Sequence, residues 1–205
     1  MNHFESTRKR RDALSSLLTD PCEEVRAAAS EALERLEGMG SLPEILDALK
    51  KGDLGTRIRC LYALGRIGGE ESLPALLYCA SRPEDDIRSV AVEVLGALAP
   101  PAALPVLKER LKDANPAIRA KAIAAMGNYA NPSLVPLLTP FLDEGDGLLD
   151  AEAAIALGRL GDGTLEERFI QLLGAPHPRT REAAATALGR LRIIPRNSGP
   201  RPHSS

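Results

Sequence analysis

Residues able to do covalent or metal chemistry are few in this chain and poorly placed for it. Its three histidines are His3 near one terminus, His177 in a Pro-His-Pro loop and His203 near the other terminus. They form no His-Glu dyad and no HExxH pair. Cys22, Cys60 and Cys79 are too few and too scattered for a disulfide framework, which points to a reducing, cytoplasmic setting. "DEGDG", Asp143 to Gly147, offers carboxylates and glycines without the full calcium-loop pattern and reads as a solvated turn. The pairs Glu70-Glu71 and Asp85-Asp86 read the same way. No Ser/His/Asp or Cys/His nucleophile set and no phosphate loop can be assembled. The expectation is a non-enzyme without metal or cofactor.

Recognition is the chemistry that remains. Arg8 to Arg11, "RKRR", is the only dense basic run, and it belongs to an edge helix, where charge keeps a capping surface soluble. Net charge is −2 and the isoelectric point about 6.0, which gives no general pull toward nucleic acid or anionic lipid. No apolar run approaches a membrane span. The N-terminal residues lack an apolar segment after their basic ones and do not read as a signal peptide. The expected partner is therefore another protein.

The elements that must position recognition residues are written as a repeat. Leu33, Leu64, Leu95, Met126, Leu157 and Leu188 are each 31 residues apart. Arg26, Arg57, Arg88, Arg119, Asp150 and Arg181 form a second column at that spacing, and Pro43, Pro74, Pro105, Pro136 and Glu167 a third. Each unit reads as two helices. The first opens near the column proline, whose missing N–H costs nothing in a first turn. Its apolar residues, such as Leu42, Ile45, Leu46 and Leu49, share one face. After a short polar loop comes the second helix. Its buried face is Val25, Ala29, Ala32, Leu33 and Leu36 in one unit, and Ile118, Ala122, Ala125, Met126 and Tyr129 in another.

Gly65, Gly96, Gly127, Gly158 and Gly189 follow the anchor residue. A helix glycine costs roughly 1 kcal/mol relative to alanine. Two readings fit its recurrence: close packing between helices, or a loosened last turn. Gly68 and Gly161 stand where a left-handed helix end is expected. Units of this kind bury their faces only by stacking. The expected fold is an all-α solenoid of six helical hairpins over residues 1–194, with repeats near 5–38, 39–69, 70–100, 101–131, 132–162 and 163–194. A disordered tail is expected over 195–205.

The phrase D-x-x-x-x-V-R-x-x-A-x-x-A-L-x-x-L at Asp20 to Leu36 resembles HEAT-type repeats, and most closely the short bacterial PBS-lyase-like or EZ-type form. The resemblance covers about residues 5 to 192. It implies a right-handed superhelix with the second helices lining the concave side. It also implies an Asp-to-Arg pairing in the loops, transferable to Asp20 with Arg26 and Asp113 with Arg119. Other repeats carry Lys51, Arg82, Glu144 and Ala175 in the Asp column, so the pairing does not extend to all. Members include scaffolds and bilin lyase subunits, which makes a chaperone-like role toward a chromophore-bearing protein the alternative. The iron-dependent hydroxylase built on HEAT repeats is disfavoured by the missing His–Glu set.

Function then belongs to the exposed columns of the second helices. These are Ala28, Glu31 and Arg35; Arg59, Tyr62 and Arg66; Val90, Glu93 and Ala97; Lys121, Ala124 and Asn128; Glu152, Ile155 and Arg159; Ala183, Thr186 and Arg190. The partner-binding set read from them is Ile58, Arg59, Tyr62, Arg66, Glu93, Lys121, Asn128, Glu152, Ile155, Arg159 and Arg190. Tyr62 beside Ile58 is the best anchor, because an aromatic flanked by arginines makes a strong contact point. Arg26, Arg57, Arg88, Arg119 and Arg181 are read as structural. Asp150 breaks their column, either as a partner contact or, the favoured reading, as a charge swap that relieves a stack of like charges. Cys60 falls in the small-residue core column and is read as packing.

Overall fold

The computed structural model describes residues 3–161 and 163–191, and the tail expected over 195–205 lies outside them. Every described element is helical. The chain divides into two compact units, Met1–Arg110 and Leu111–Ser205.

The first unit holds α1 (His3–Ser16), α2 (Glu23–Gly40), α3 (Leu42–Lys51), α4 (Leu54–Ile67), α5 (Gly69–Cys79), α6 (Asp85–Leu98) and α7 (Leu104–Arg110). α1 pairs with α2, α3 with α4 and α5 with α6, and the second helices α2, α4 and α6 stack in order. The second unit holds α8 (Pro116–Met126), α9 (Val135–Leu138), α10 (Leu149–Leu160), α11 (Glu166–Leu172) and α12 (Pro178–Leu188). There α8, α10 and α12 form the stacked row, and α9 and α11 lie against it. Several first helices enter through a short 3-10 turn, such as Pro101–Ala103 and Gly163–Leu165. Pro74 departs from expectation: α5 already starts at Gly69, so this proline lies inside the helix.

The core is a row of contacts between neighbouring hairpins. Leu61 and Leu64 of α4, Leu95 of α6, Met126 of α8 and Leu157 of α10 are fully buried, and each such side chain stabilises by about 1.5–3 kcal/mol. Cys60 is buried among them, as its column implies.

The glycine column resolves in favour of close packing. A Cβ at Gly65 would come within 2.7 Å of Val94 Cγ1. One at Gly127 would stand 2.8 Å from the Ala156 Cα, and one at Gly158 would stand 2.7 Å from the Ala187 Cα. The glycine removes a side chain so that the next second helix can touch backbone. The helix-end glycines behave less uniformly. Gly161 ends α10 in the left-handed conformation, at φ 71 and ψ 27. Gly68 has φ 63 but ψ −156, a region open essentially to glycine alone rather than the left-handed helix end anticipated. The equivalent positions Ala99 and Ala130 carry φ 46 and φ 45 without a glycine.

The arginine column is a latch on the loop within four of the hairpins. Arg26 Nη1 donates to the carbonyls of Asp20 at 2.7 Å and Pro21 at 3.0 Å. Arg88 does so to Arg82 and Pro83, Arg119 to Asp113 and Ala114, and Arg181 to Ala175 and Pro176. The expected Asp-to-Arg pairing thus runs through the main chain. The Asp20 carboxylate accepts instead from the Cys22 amide at 2.8 Å, and the Asp113 carboxylate accepts from the Asn115 amide at 3.0 Å. A carbonyl is present whatever the side chain, so Arg82 or Ala175 serves as well as aspartate. Arg57 departs from the set. α3 continues through Lys51, where other hairpins present a loop carbonyl, and Arg57 reaches Glu84 Oε1 at 3.4 Å.

Asp150 is not a partner contact, because it is only 1% exposed. Its carboxylate accepts from the Ala151 amide at 2.7 Å and from the Thr180 hydroxyl at 3.1 Å. Thr180 itself stands in a column that is apolar at Val25, Ile87, Ile118 and Leu149 and otherwise holds Thr56. Two polar residues from adjacent hairpins therefore meet and satisfy each other, as buried polar groups must. The loop before α10 is closed differently too, with Asp146 Oδ1 accepting from the Leu148 and Leu149 amides.

Candidate partner-binding face

The exposed columns fall largely where the helical spacing places them. Arg59, Tyr62, Arg66, Glu93, Asn128, Arg159 and Arg190 are exposed, and Ile58, Lys121, Glu152 and Ile155 are half-buried. Val90 and Ala183, read as exposed, are buried. Both are apolar and small enough to be covered by the neighbouring helix.

In the first unit the structure brings Ile58, Arg59, Tyr62 and Arg66 of α4 together with Glu93 of α6. An Asp53 cap orients α4. Its carboxylate accepts from the Thr56 amide at 2.7 Å, and that bond holds the Asp53 carboxyl below its ordinary range. Arg59 Nη2 then donates to Thr56 Oγ1 at 2.8 Å, and Tyr62 Oη donates to Glu93 Oε1 at 3.2 Å. Tyr62 stays 42% exposed. Partial burial first, and then the neighbouring Glu93 charge, push its hydroxyl up from its usual value. Beside it a groove of about 650 Å³ opens between α2 and α4, with Glu34, Glu37, Ile45, Arg66 and Ile67 among its lining. Arg66, Glu34 and Glu37 have no ion-pair partner among the described residues. These are charges on an open surface whose helices are fixed from beneath by Leu61 and Leu64.

In the second unit the corresponding columns pair among themselves. Arg159 Nη1 donates to Asn128 Oδ1 at 2.8 Å, and Arg179 is ion-paired with Glu152. These side chains brace neighbouring helices as much as they face solvent.

A second aromatic site was not found by reading the second helices, because it lies on a first helix. Tyr78 of α5 is 63% exposed, and the Arg82 guanidinium lies 5.3 Å from its ring centroid. Arg82 Nη1 also donates to the Tyr78 hydroxyl at 2.8 Å, and Glu84 sits between Arg82 and Arg57. The Glu84 amide, and then Arg82, hold the Glu84 carboxyl low. A Tyr four residues before an Arg at a helix end is the signal that would have found it.

Among the described residues no cluster of His, Cys, Asp and Glu could hold a metal ion, and no helix is long and apolar enough to cross a membrane.

Comparison with known proteins agrees with this architecture. No curated protein sequence matches the chain. Among solved structures, the CpcE–CpcF complex of phycocyanin lyase from Nostoc sp. PCC7120 is similar at 22% identity and TM-score 0.56, covering 87% of this chain and 76% of that one. An engineered protein matches at 18% identity and TM-score 0.55, covering 88% of this chain and 95% of that one. A designed armadillo repeat protein in complex with the peptide (KR)4 matches at 16% identity and TM-score 0.55, covering 88% and 98%. At these identities the likeness is one of fold. The HEAT repeat family matches residues 11–96, 74–149 and 140–199, which is most of the sequence. A stack of helical hairpins with small residues at the contacts and arginines latching the loops is thus what it resembled on paper: the chain belongs to the HEAT repeat family.

Proposed function

We propose that the protein is a non-enzymatic interaction module whose contact face in the first unit is centred on Tyr62. HEAT repeats form protein-interaction scaffolds, and stacked hairpins offer a surface already rigid before binding, which lowers the ordering cost of association. The observation that carries the reading is an exposed aromatic, hydrogen-bonded to Glu93, beside the uncommitted charges of Arg66, Glu34 and Glu37 in an open groove. That combination suits an extended protein segment bearing one apolar side chain and charges of both signs. The test is Tyr62→Ala with Arg66→Glu. The melting temperature should stay within a few degrees of wild type, because one exposed hydrogen bond is worth about 1 kcal/mol or less. Capture of partners from the native host, read by mass spectrometry, should fall. A collapse in stability with unchanged capture would reject the face.

A bilin lyase-like role is supported only by likeness to the phycocyanin lyase structure. Visible absorbance of the purified protein, or recovery of a bilin-bearing partner, would favour it. A salt-dependent anisotropy change with duplex DNA would instead favour nucleic-acid binding.

A further inference from the structure

The stacking contact follows one rule in both units. A glycine near the end of one second helix covers the next one: Gly65 covers Val94, Gly127 covers Ala156 and Gly158 covers Ala187 in one column, and Gly38 covers Ile67 one helical turn further along. The separation is 29 residues each time, for example 67 − 38 and 187 − 158. Counted back along the columns, the covered positions of α2 are Ala32 and Leu36, equivalent to Ala63 and Ile67. No described second helix precedes α2 to cover them. They line an apolar groove of about 460 Å³ with Ala13 and Leu14 of α1, and Arg10 and Arg35 stand at its edges. The last covering position of the series is Gly189. Among the described residues a Cβ there would meet only carbonyls of α12, Thr186 at 3.6 Å and Ala185 at 3.8 Å. One end of the series therefore holds an open socket, and the other holds an unused plug of the same pattern.

We infer that the α1–α2 hairpin of one copy is the docking surface for the α11–α12 hairpin of a second copy, which joins molecules head to tail. Charge supports this occupant. α1 exposes Arg8, Lys9, Arg10 and Arg11, whereas α11 exposes Glu166, Glu167 and the apolar Ile170, with the apolar Leu173 exposed just past its end. In the second unit α11 meets the segment that precedes it in the stack, where Arg168 is ion-paired with Asp143, the last residue of the 3-10 turn Thr139–Asp143 that follows α9. Repeating that arrangement between copies would bring the basic α1 against the acidic α11. The two surfaces differ, so the contact is heterologous, and each copy keeps one free face for the next. Arg35 lines both this socket and the groove beside Tyr62, but none of the variants below changes a residue named for the Tyr62 face.

The experiment is sedimentation velocity on the full chain over a wide concentration range. Wild type should show concentration-dependent self-association that high salt weakens. Gly189→Leu adds bulk where the folded monomer has room, and Ala32→Arg fills the socket. Each variant alone should associate at least roughly tenfold more weakly while keeping a wild-type melting curve. Mixed one to one, they should form a heterodimer, because each retains the face the other lacks. Should Ala32→Arg melt early, Arg10→Glu with Arg11→Glu at exposed positions gives the same readout. A wild type that stays monomeric at every concentration overturns the inference. So does self-association by either folded single variant at wild-type strength, or a mixture that stays monomeric, as it would for a symmetric dimer.

Discussion

α2 and α8 carry the same apolar pattern and differ in how deeply it is buried. In α8, Ile118, Ala122, Ala125 and Met126 are all inside. In α2 only Ala29 is, and Val25, Ala32, Leu33 and Leu36 are half-exposed. The difference lies in what each helix is given to pack against. α1, the cover of α2, is written mostly in charged and small polar residues and offers it little beyond Ala13 and Leu14. The pattern of a repeat helix names the face to be buried, and neighbours supply the burial.

Truncating equivalent residues tests this most strongly. Met126→Ala should cost about 2–5 kcal/mol in urea denaturation, whereas Leu33→Ala at the same column should cost about 1 kcal/mol or less. Equal losses would mean that α2 is as well packed as α8. Next in size is the glycine column. Gly158→Ala drives a methyl against the Ala187 backbone and should cost about 1–3 kcal/mol, while Gly189→Ala has room and should gain up to about 1 kcal/mol of helix stability. A loss at Gly189 would show that its surroundings are closed. Smaller still is the helix-end column, where Ala99 and Ala130 hold a conformation that suits glycine. Ala99→Gly should raise the melting temperature by the equivalent of about 1 kcal/mol or less, and Gly161→Ala should lower it by a similar amount.

The smallest effect is a titration. Burial pushes the Tyr129 phenol from 10.0 up to about 12. Its folded value lies above its unfolded one, so this support is complete below pH 10 and fades as pH rises toward about 12. Absorbance of tyrosinate in alkali should show this late ring, and Tyr129→Phe should remove it with little change in stability at neutral pH.

The hairpins, their buried faces and the small residues at their contacts could be read from columns because one local geometry is used again and again. Departures from the columns could be located but not explained. Asp150 stood out, yet its meaning lies in Thr180, a residue 30 positions away whose own departure is visible only against its apolar column. Arg57 keeps the column identity but loses the column bond, because α3 runs three residues further than α5, α7 and α11 do. The exposure of Tyr62 was legible from helical spacing, while its link to Glu93 joins equivalent positions 31 residues apart and needed the stack itself. Tyr78 and Arg82 lie on a first helix and just past its end, outside the second-helix columns.

The arginine latch has a consequence for how such a chain can change. Because the guanidinium grips peptide oxygens, the turn it secures carries almost no demand on side-chain identity. Substitutions there are nearly free, and that rim of the molecule is where new specificities can be grafted while the scaffold stays fastened.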